Sequence, residues 1–137
     1  MVIHSVHHVG IVMNDLNRAL AFMKTFNLQE DYREYVPRYQ ALCIFTKMET
    51  GTAIEFIVPD GGVLYNYNNG KGGIHHIAFL VDNIDKTTAE YEKMDLGMLE
   101  ETGVKGAGSI YVNFMRPRYG QGILVEFVEE RKENKRK

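Results

Sequence analysis

Two pairs of adjacent histidines stand inside apolar, β-branched runs, VHHVGIV at residues 6–12 and GIHHIAFLVD at residues 73–82. Two glutamates have comparable surroundings, in Ile54-Glu55-Phe56 and Val125-Glu126-Phe127. Taken singly, a histidine in such a run is ordinarily a hydrogen-bonded core residue and a glutamate an edge-strand residue facing water. An ionised carboxylate inside so apolar a strand is costly unless it is paired or bound to a metal. Taken together, His8, Glu55, His76 and Glu126 supply two imidazoles and two carboxylates. That donor set suits a divalent transition metal such as Co, Ni, Zn, Mn or Fe, with positions left for water or substrate.

What relates the four residues is an internal repeat. His7–Leu16 aligns with His75–Ile84 at an offset of 76 − 8 = 68, and Glu55 corresponds to Glu126 at 126 − 55 = 71. Each copy runs into a helical pattern. The first spans Asn14 to Phe26, with Asn14 or Asp15 as cap and Leu16, Leu20, Met23 and Phe26 along one stripe. The second follows Asp82 and Asn83, carries Ile84, Thr87, Thr88, Tyr91 and Met94, and ends near Gly97. Strand-like runs follow at about 30–36, 39–48 and 52–58, then at about 98–103, 109–116 and 122–129. Each half therefore reads β-α-β-β-β. Module one covers about 1–60, a linker rich in Asn and Gly about 61–72, module two about 73–130, and a charged tail 131–137. That tail is expected to be a solvated end.

Side chains alternate across a strand, so parity sorts the candidates. His7, Val9, Ile11 and Met13 share one face, and Val6, His8, Gly10 and Val12 the other. In the second copy His75, Ile77, Phe79 and Val81 oppose His76, Ala78 and Leu80. Gly10 and Ala78 relieve bulk beside the second histidine of each pair, as a pocket requires and a packed core avoids. His8 and His76 are thus the site candidates, and His7 and His75 read as structural neighbours. A pseudo-twofold relation between the halves would bring His8, Glu55, His76 and Glu126 around one point.

Composition narrows the setting. Hydrophobic residues make up 45% of the 137 and charged residues 25%, as in a soluble globular chain of one domain. A net charge of −2 gives no bias toward nucleic acid or an anionic membrane. The single cysteine, Cys43, rules out an internal disulfide and fits a reducing compartment. No apolar stretch approaches the ~20 residues of a membrane helix, and MVIHSVHH lacks the features of a secretory signal. A cytoplasmic protein is expected.

Paired β-α-β-β-β modules carrying His, Glu, His and Glu at these strand positions resemble the vicinal-oxygen-chelate superfamily, which includes glyoxalase I, bleomycin-resistance proteins and extradiol dioxygenases. Within it the chain looks most like methylmalonyl-CoA epimerase. The resemblance lies in Gly72 to Phe79 with Val81 to Asp85, in Val112 to Pro117, and in Gly120 to Glu126. It implies an α+β fold in which two βαβββ modules form a cup-shaped, largely antiparallel sheet with helices outside. It also implies a homodimer and a metal held by His8, Glu55, His76 and Glu126. The implied activity interconverts the C2 stereoisomers of methylmalonyl-CoA or a similar acyl-CoA through a metal-stabilised enediolate. Glu126 is then the base and metal ligand, and Glu55 a ligand and second catalytic base. The chain departs from the epimerase pattern at Arg116, where those enzymes carry a histidine. It departs again at Asp60-Gly61-Gly62, which replaces Asp-Ser-Pro, and at Cys43, where some have a catalytic acid.

A CoA ester needs groups for its phosphates, and Lys105-Gly106-Ala107-Gly108 and Arg116 to Arg118 are candidates. Tyr111, Tyr65 and Tyr67 are candidate wall residues. Two other readings compete: a glyoxalase I-like isomerase or lyase, and a metal-free small-molecule-binding protein of the resistance type. An extradiol dioxygenase fits less well, because that chemistry uses two histidines and one carboxylate.

Overall fold

The computed structural model describes residues 2–131, so most of the charged tail, 132–137, lies outside the described residues. The described residues divide into two compact units, His8–His76 and residues 2–7 with 77–131.

In the first unit, strand β1 (Ser5–Val12) leads into helix α1 (Leu16–Thr25), then β2 (Gln29–Val36), β3 (Ala41–Lys47) and β4 (Ala53–Pro59). A short helix α2 (Gly62–Tyr65) and a 3₁₀ turn (Tyr67–Gly70) occupy the linker before β5 (Gly73–Leu80). The strands are ordered β2-β3-β4-β1-β5. β3 pairs antiparallel with both β2 and β4, whereas β1 runs parallel to β4 with Gly10 opposite Glu55.

Asp15, not Asn14, caps α1 by accepting from the Asn17 amide at 2.8 Å, which satisfies one of the helix's orphan donors. Asn14 instead ties down the linker, donating to the carbonyls of Tyr65 and Gly70. The buried stripe of α1 is also rotated from the expected one. Ala19 and Met23 are buried, with Leu16 and Phe22 packed alongside, while Leu20 and Phe26 are exposed. A single small residue at 19 lets the helix sit close to the sheet, and this outweighs the two larger apolar positions. Its partners are Ile44, Ile54 and Phe56, together with Ile11 and Met13. The helix thus covers one face of β1 and β4. The opposite face carries His8, Gly10 and Glu55, with Val12, Ala41 and Ile57 packed together nearby.

The second unit repeats the plan. Asn83 caps α3 (Ile84–Lys93) by accepting from the Lys86 amide at 2.9 Å. β6 (Val104–Lys105), β7 (Ile110–Met115) and β8 (Val125–Glu130) are joined antiparallel. β5 runs parallel to β8 with Ala78 opposite Glu126, the repeat counterpart of Gly10 opposite Glu55. Val81, Ile84, Met98, Met115 and Phe127 form the core under α3.

The expected strand at 98–103 is not formed. It shrinks to a bridge between Met98 and Met115 and the two residues of β6. The segment is held by side chains instead. Buried Asn113 receives the Glu100 amide at 3.0 Å and donates to its carbonyl at 2.9 Å, and Asp85 accepts from the Gly103 amide at 2.7 Å. Arg131, placed in the tail by sequence, is seated here: its guanidinium lies 3.8 Å over the Tyr111 ring and bonds Glu129 at 2.8 Å.

Glu129 also accepts from the Ile84 amide at 2.9 Å, at the start of α3. Its hydrogen bond with Arg131 holds the carboxyl below the usual range; burial opposes this, and the Ile84 amide helps. A depressed pKa stabilises the fold above the unfolded value, about 4.3, and the benefit is lost as pH falls through the folded value. Glu129→Gln is therefore expected to melt below wild type at pH 7. The two melting curves should approach each other as pH falls below about 4.3 and converge only below the folded value, as followed by circular dichroism.

Candidate metal centre and active site

β1, β4 and the opening of β5 bring His8, Glu55 and His76 together. The Nε2 atoms of His8 and His76 are 3.2 Å apart, and Oε1 of Glu55 lies 3.3 Å from the first and 3.5 Å from the second. All three residues are buried, His8 completely. The parallel register explains the contact. Glu55 stands opposite Gly10, two residues beyond His8 on the same face of β1, so carboxylate and imidazole project side by side.

Two further features fix this arrangement. The His8 ring packs edge-on against Phe45 at 5.0 Å, and Phe45 is in turn stacked by Tyr32 at 5.0 Å. The His76 ring lies over Gly10, where a Cβ would approach its Cε1 to 2.2 Å. Burial by itself pushes the Glu55 carboxyl up. The imidazoles of His76 and His8 beside it outweigh that and hold it far below the usual carboxylate range.

Three nitrogen and oxygen donors converging within 3.2–3.5 Å of one another are what a divalent ion requires. A metal also resolves the cost of burying an anion beside two imidazoles. The residues present therefore fit a metal.

Glu126 belongs to the other unit. It is 4% exposed on β8, opposite Ala78 on one side and Phe114 on the other. Phe114 and Leu124 share its face and line a cavity of about 380 Å³ with Leu99, Arg116 and Arg118. The two arginines expected to contact phosphate are thus exposed residues at an apolar cavity. Lys105 is engaged with the Gly106 carbonyl at 3.1 Å, and Tyr111 underlies Arg131. Cys43 is fully buried, in register between Glu34 and Ile57.

The sequence places His75 among the structural neighbours and Tyr67 among the candidate wall residues, without bringing the two together. Nδ1 of His75 lies 2.9 Å from Nδ1 of His76, and the His75 ring meets the Tyr67 ring edge-on at 4.9 Å. His7, its repeat counterpart, is instead 3.0 Å from Glu130. The doublet itself was the signal, but parity had assigned its first member to packing.

Residues 7–114 match the Glyoxalase/Bleomycin resistance protein/Dioxygenase superfamily model. The chain belongs to this superfamily. Among curated relatives, the mitochondrial methylmalonyl-CoA epimerase of Homo sapiens is 32% identical over 127 residues, covering 88% of this chain and 71% of the relative. The fold is that of solved methylmalonyl-CoA epimerases. The Streptomyces coelicolor enzyme, solved in complex with 2-nitronate-propionyl-CoA, superposes with a TM-score of 0.86 at 21% identity, covering 96% of this chain and all of its own. The Mycobacterium tuberculosis enzyme gives 0.86 at 20% identity over 95% and 90% of the two chains. Among the described residues no helix is long and apolar enough to cross a membrane.

Proposed function

We propose that this chain is a divalent-metal-dependent epimerase interconverting the C2 stereoisomers of methylmalonyl-CoA or a similar acyl-CoA. The observation that carries the reading is the buried convergence of His8, Glu55 and His76, in a chain whose relatives bear that enzyme's name. Glu126 is taken as the fourth ligand. It is buried, it is the repeat counterpart of Glu55, and it faces Ala78 as Glu55 faces Gly10. Bound there, a divalent cation supplies the Lewis acidity that stabilises negative charge developing on the thioester oxygen.

The protein's own part is proton handling. Glu126 takes the weakly acidic C2 proton. Glu55, on the other module, serves as ligand and as the proton-handling group for the opposite face of C2. Inversion needs such a pair, because a proton removed from one face must return to the other. The apolar cavity beside Phe114 and Leu124 takes part of the carrier arm, and Arg116 and Arg118 meet its phosphates. The chain acts as a homodimer, as in the family it resembles, in a reducing, cytoplasmic setting that suits its one buried thiol.

Proton NMR in D₂O with methylmalonyl-CoA tests the reading. The C2 proton should wash out with the metal-loaded protein and persist after chelation. No exchange in protein shown to carry stoichiometric metal would sink the assignment. Alanine at Arg116 and Arg118 together is expected to raise KM several-fold with kcat little changed, and the difference from wild type should shrink at high ionic strength. Steady-state kinetics at two salt concentrations check this.

A further inference from the structure

Neighbouring side chains on a regular strand leave opposite faces, yet the rings of His75 and His76 meet through their Nδ1 atoms at 2.9 Å. The entry to β5 makes this possible. Gly72 and Gly73 take φ of +72° and +122°, which only glycine adopts without strain, so the strand begins off the regular pleat. Tyr67 then seats the His75 ring edge-on and is itself fixed by donating its hydroxyl to the Ile74 carbonyl at 2.6 Å.

We propose that His75 is a positioning residue for His76, accepting a hydrogen bond from His76 Nδ1–H and so holding the Nε2 lone pair of His76 toward His8 and Glu55. Two facing ring nitrogens share one proton, so one donates and the other accepts. Were His75 the donor, a neutral His76 would carry its proton on Nε2, pointing at His8 and blocking a metal. With His76 as donor, the Nε2 atoms 3.2 Å apart become a donor pair for one ion. Metal-binding imidazoles characteristically donate their second nitrogen to an acceptor that fixes tautomer and ring plane. In this chain the acceptor is another imidazole. The device belongs to one half of the repeat alone, since His7 is directed to Glu130.

This inference rests on the metal reading, and its test uses no substrate. In metal-free protein, long-range ¹⁵N–¹H spectra of the histidine rings should show His76 protonated at Nδ1. In His75→Phe, which keeps the ring against Tyr67 but removes the acceptor, Nε2–H should become populated. Affinity for Zn²⁺ or Co²⁺, measured by chelator competition, should fall about 10–100-fold. His75→Asn, whose Oδ1 can stand where Nδ1 stood, should restore most of the affinity. A His76 protonated at Nε2 in wild type would overturn the proposal. So would a folded His75→Phe with the wild-type tautomer and affinity. Should His75→Phe fail to fold, the wild-type tautomer and the His75→Asn affinity decide. Should wild type bind no metal, the metal reading fails, while the metal-free spectra still decide the tautomer.

Discussion

Glu126→Gln is expected to slow C2 proton exchange by about 10²–10⁴-fold while leaving the fold intact. The amide matches the carboxylate in volume, and Glu126 is 4% exposed between Phe114 and Ala78, so a change of shape would be felt at once and a change of charge alone would not disturb packing. What is lost is the proton acceptor and one anionic ligand. The same substitution carries a thermodynamic signature that separates chemistry from stability. Without metal, the isosteric amide keeps the packing, so the variant should melt near the wild-type temperature. With metal, the ion-induced rise in Tm should be smaller than in wild type, because weaker binding to the native state stabilises it less. A variant that exchanges the C2 proton at the wild-type rate would remove Glu126 from the mechanism. Loss of activity with a low Tm in both states would show mere misfolding.

How far the site was legible before the structure depends on which physical rule each residue obeys. His8, Glu55 and His76 were legible because the candidate residues recur in both halves at similar offsets and strands alternate, and alternation holds for His8 and Glu55 in the middle of β1 and β4. Gly10 was legible as missing bulk, although not as the seat of the His76 ring, which depends on how β1 and β5 lie beside each other. The contact between the His75 and His76 rings was not legible because alternation presumes a regular pleat, and the pleat fails where Gly72 and Gly73 turn the chain into β5. The strand at 98–103 was overpredicted for a related reason. Its apolar residues suit a strand, but Asn113 and Asp85 offer its backbone amides side-chain partners, and local hydrogen bonds of that kind compete with a ladder. The stripe of α1 went astray because periodicity ranks residues by size, whereas close helix–sheet approach selects the small Ala19.

Gly10→Ala should be nearly as damaging as deleting a ligand. The φ of Gly10 is not in the left-handed region, so the backbone would accept alanine without strain. The obstacle is the His76 ring: the new Cβ would stand 2.2 Å from Cε1, 2.6 Å from Nδ1 and 2.7 Å from Nε2. These atoms belong to a ring 4% exposed and held on either side by His75 and His8, so it cannot rotate away cheaply. Overpacking of this kind typically costs about 1–3 kcal/mol. The greater effect falls on geometry. A ring displaced by about 1 Å loses its aim at Glu55, and displacement on that scale can cost about 10²-fold in function. Chelator competition should therefore show divalent affinity reduced by about 10²-fold, with Tm lowered. A double-mutant cycle isolates the cause. In a His76→Ala background the Cβ meets no ring, so Gly10→Ala should change Tm little there while lowering it in wild type. Equal costs in both backgrounds would place the strain elsewhere on β1, and unchanged metal affinity in Gly10→Ala would mean that His76 does not ligate from this position.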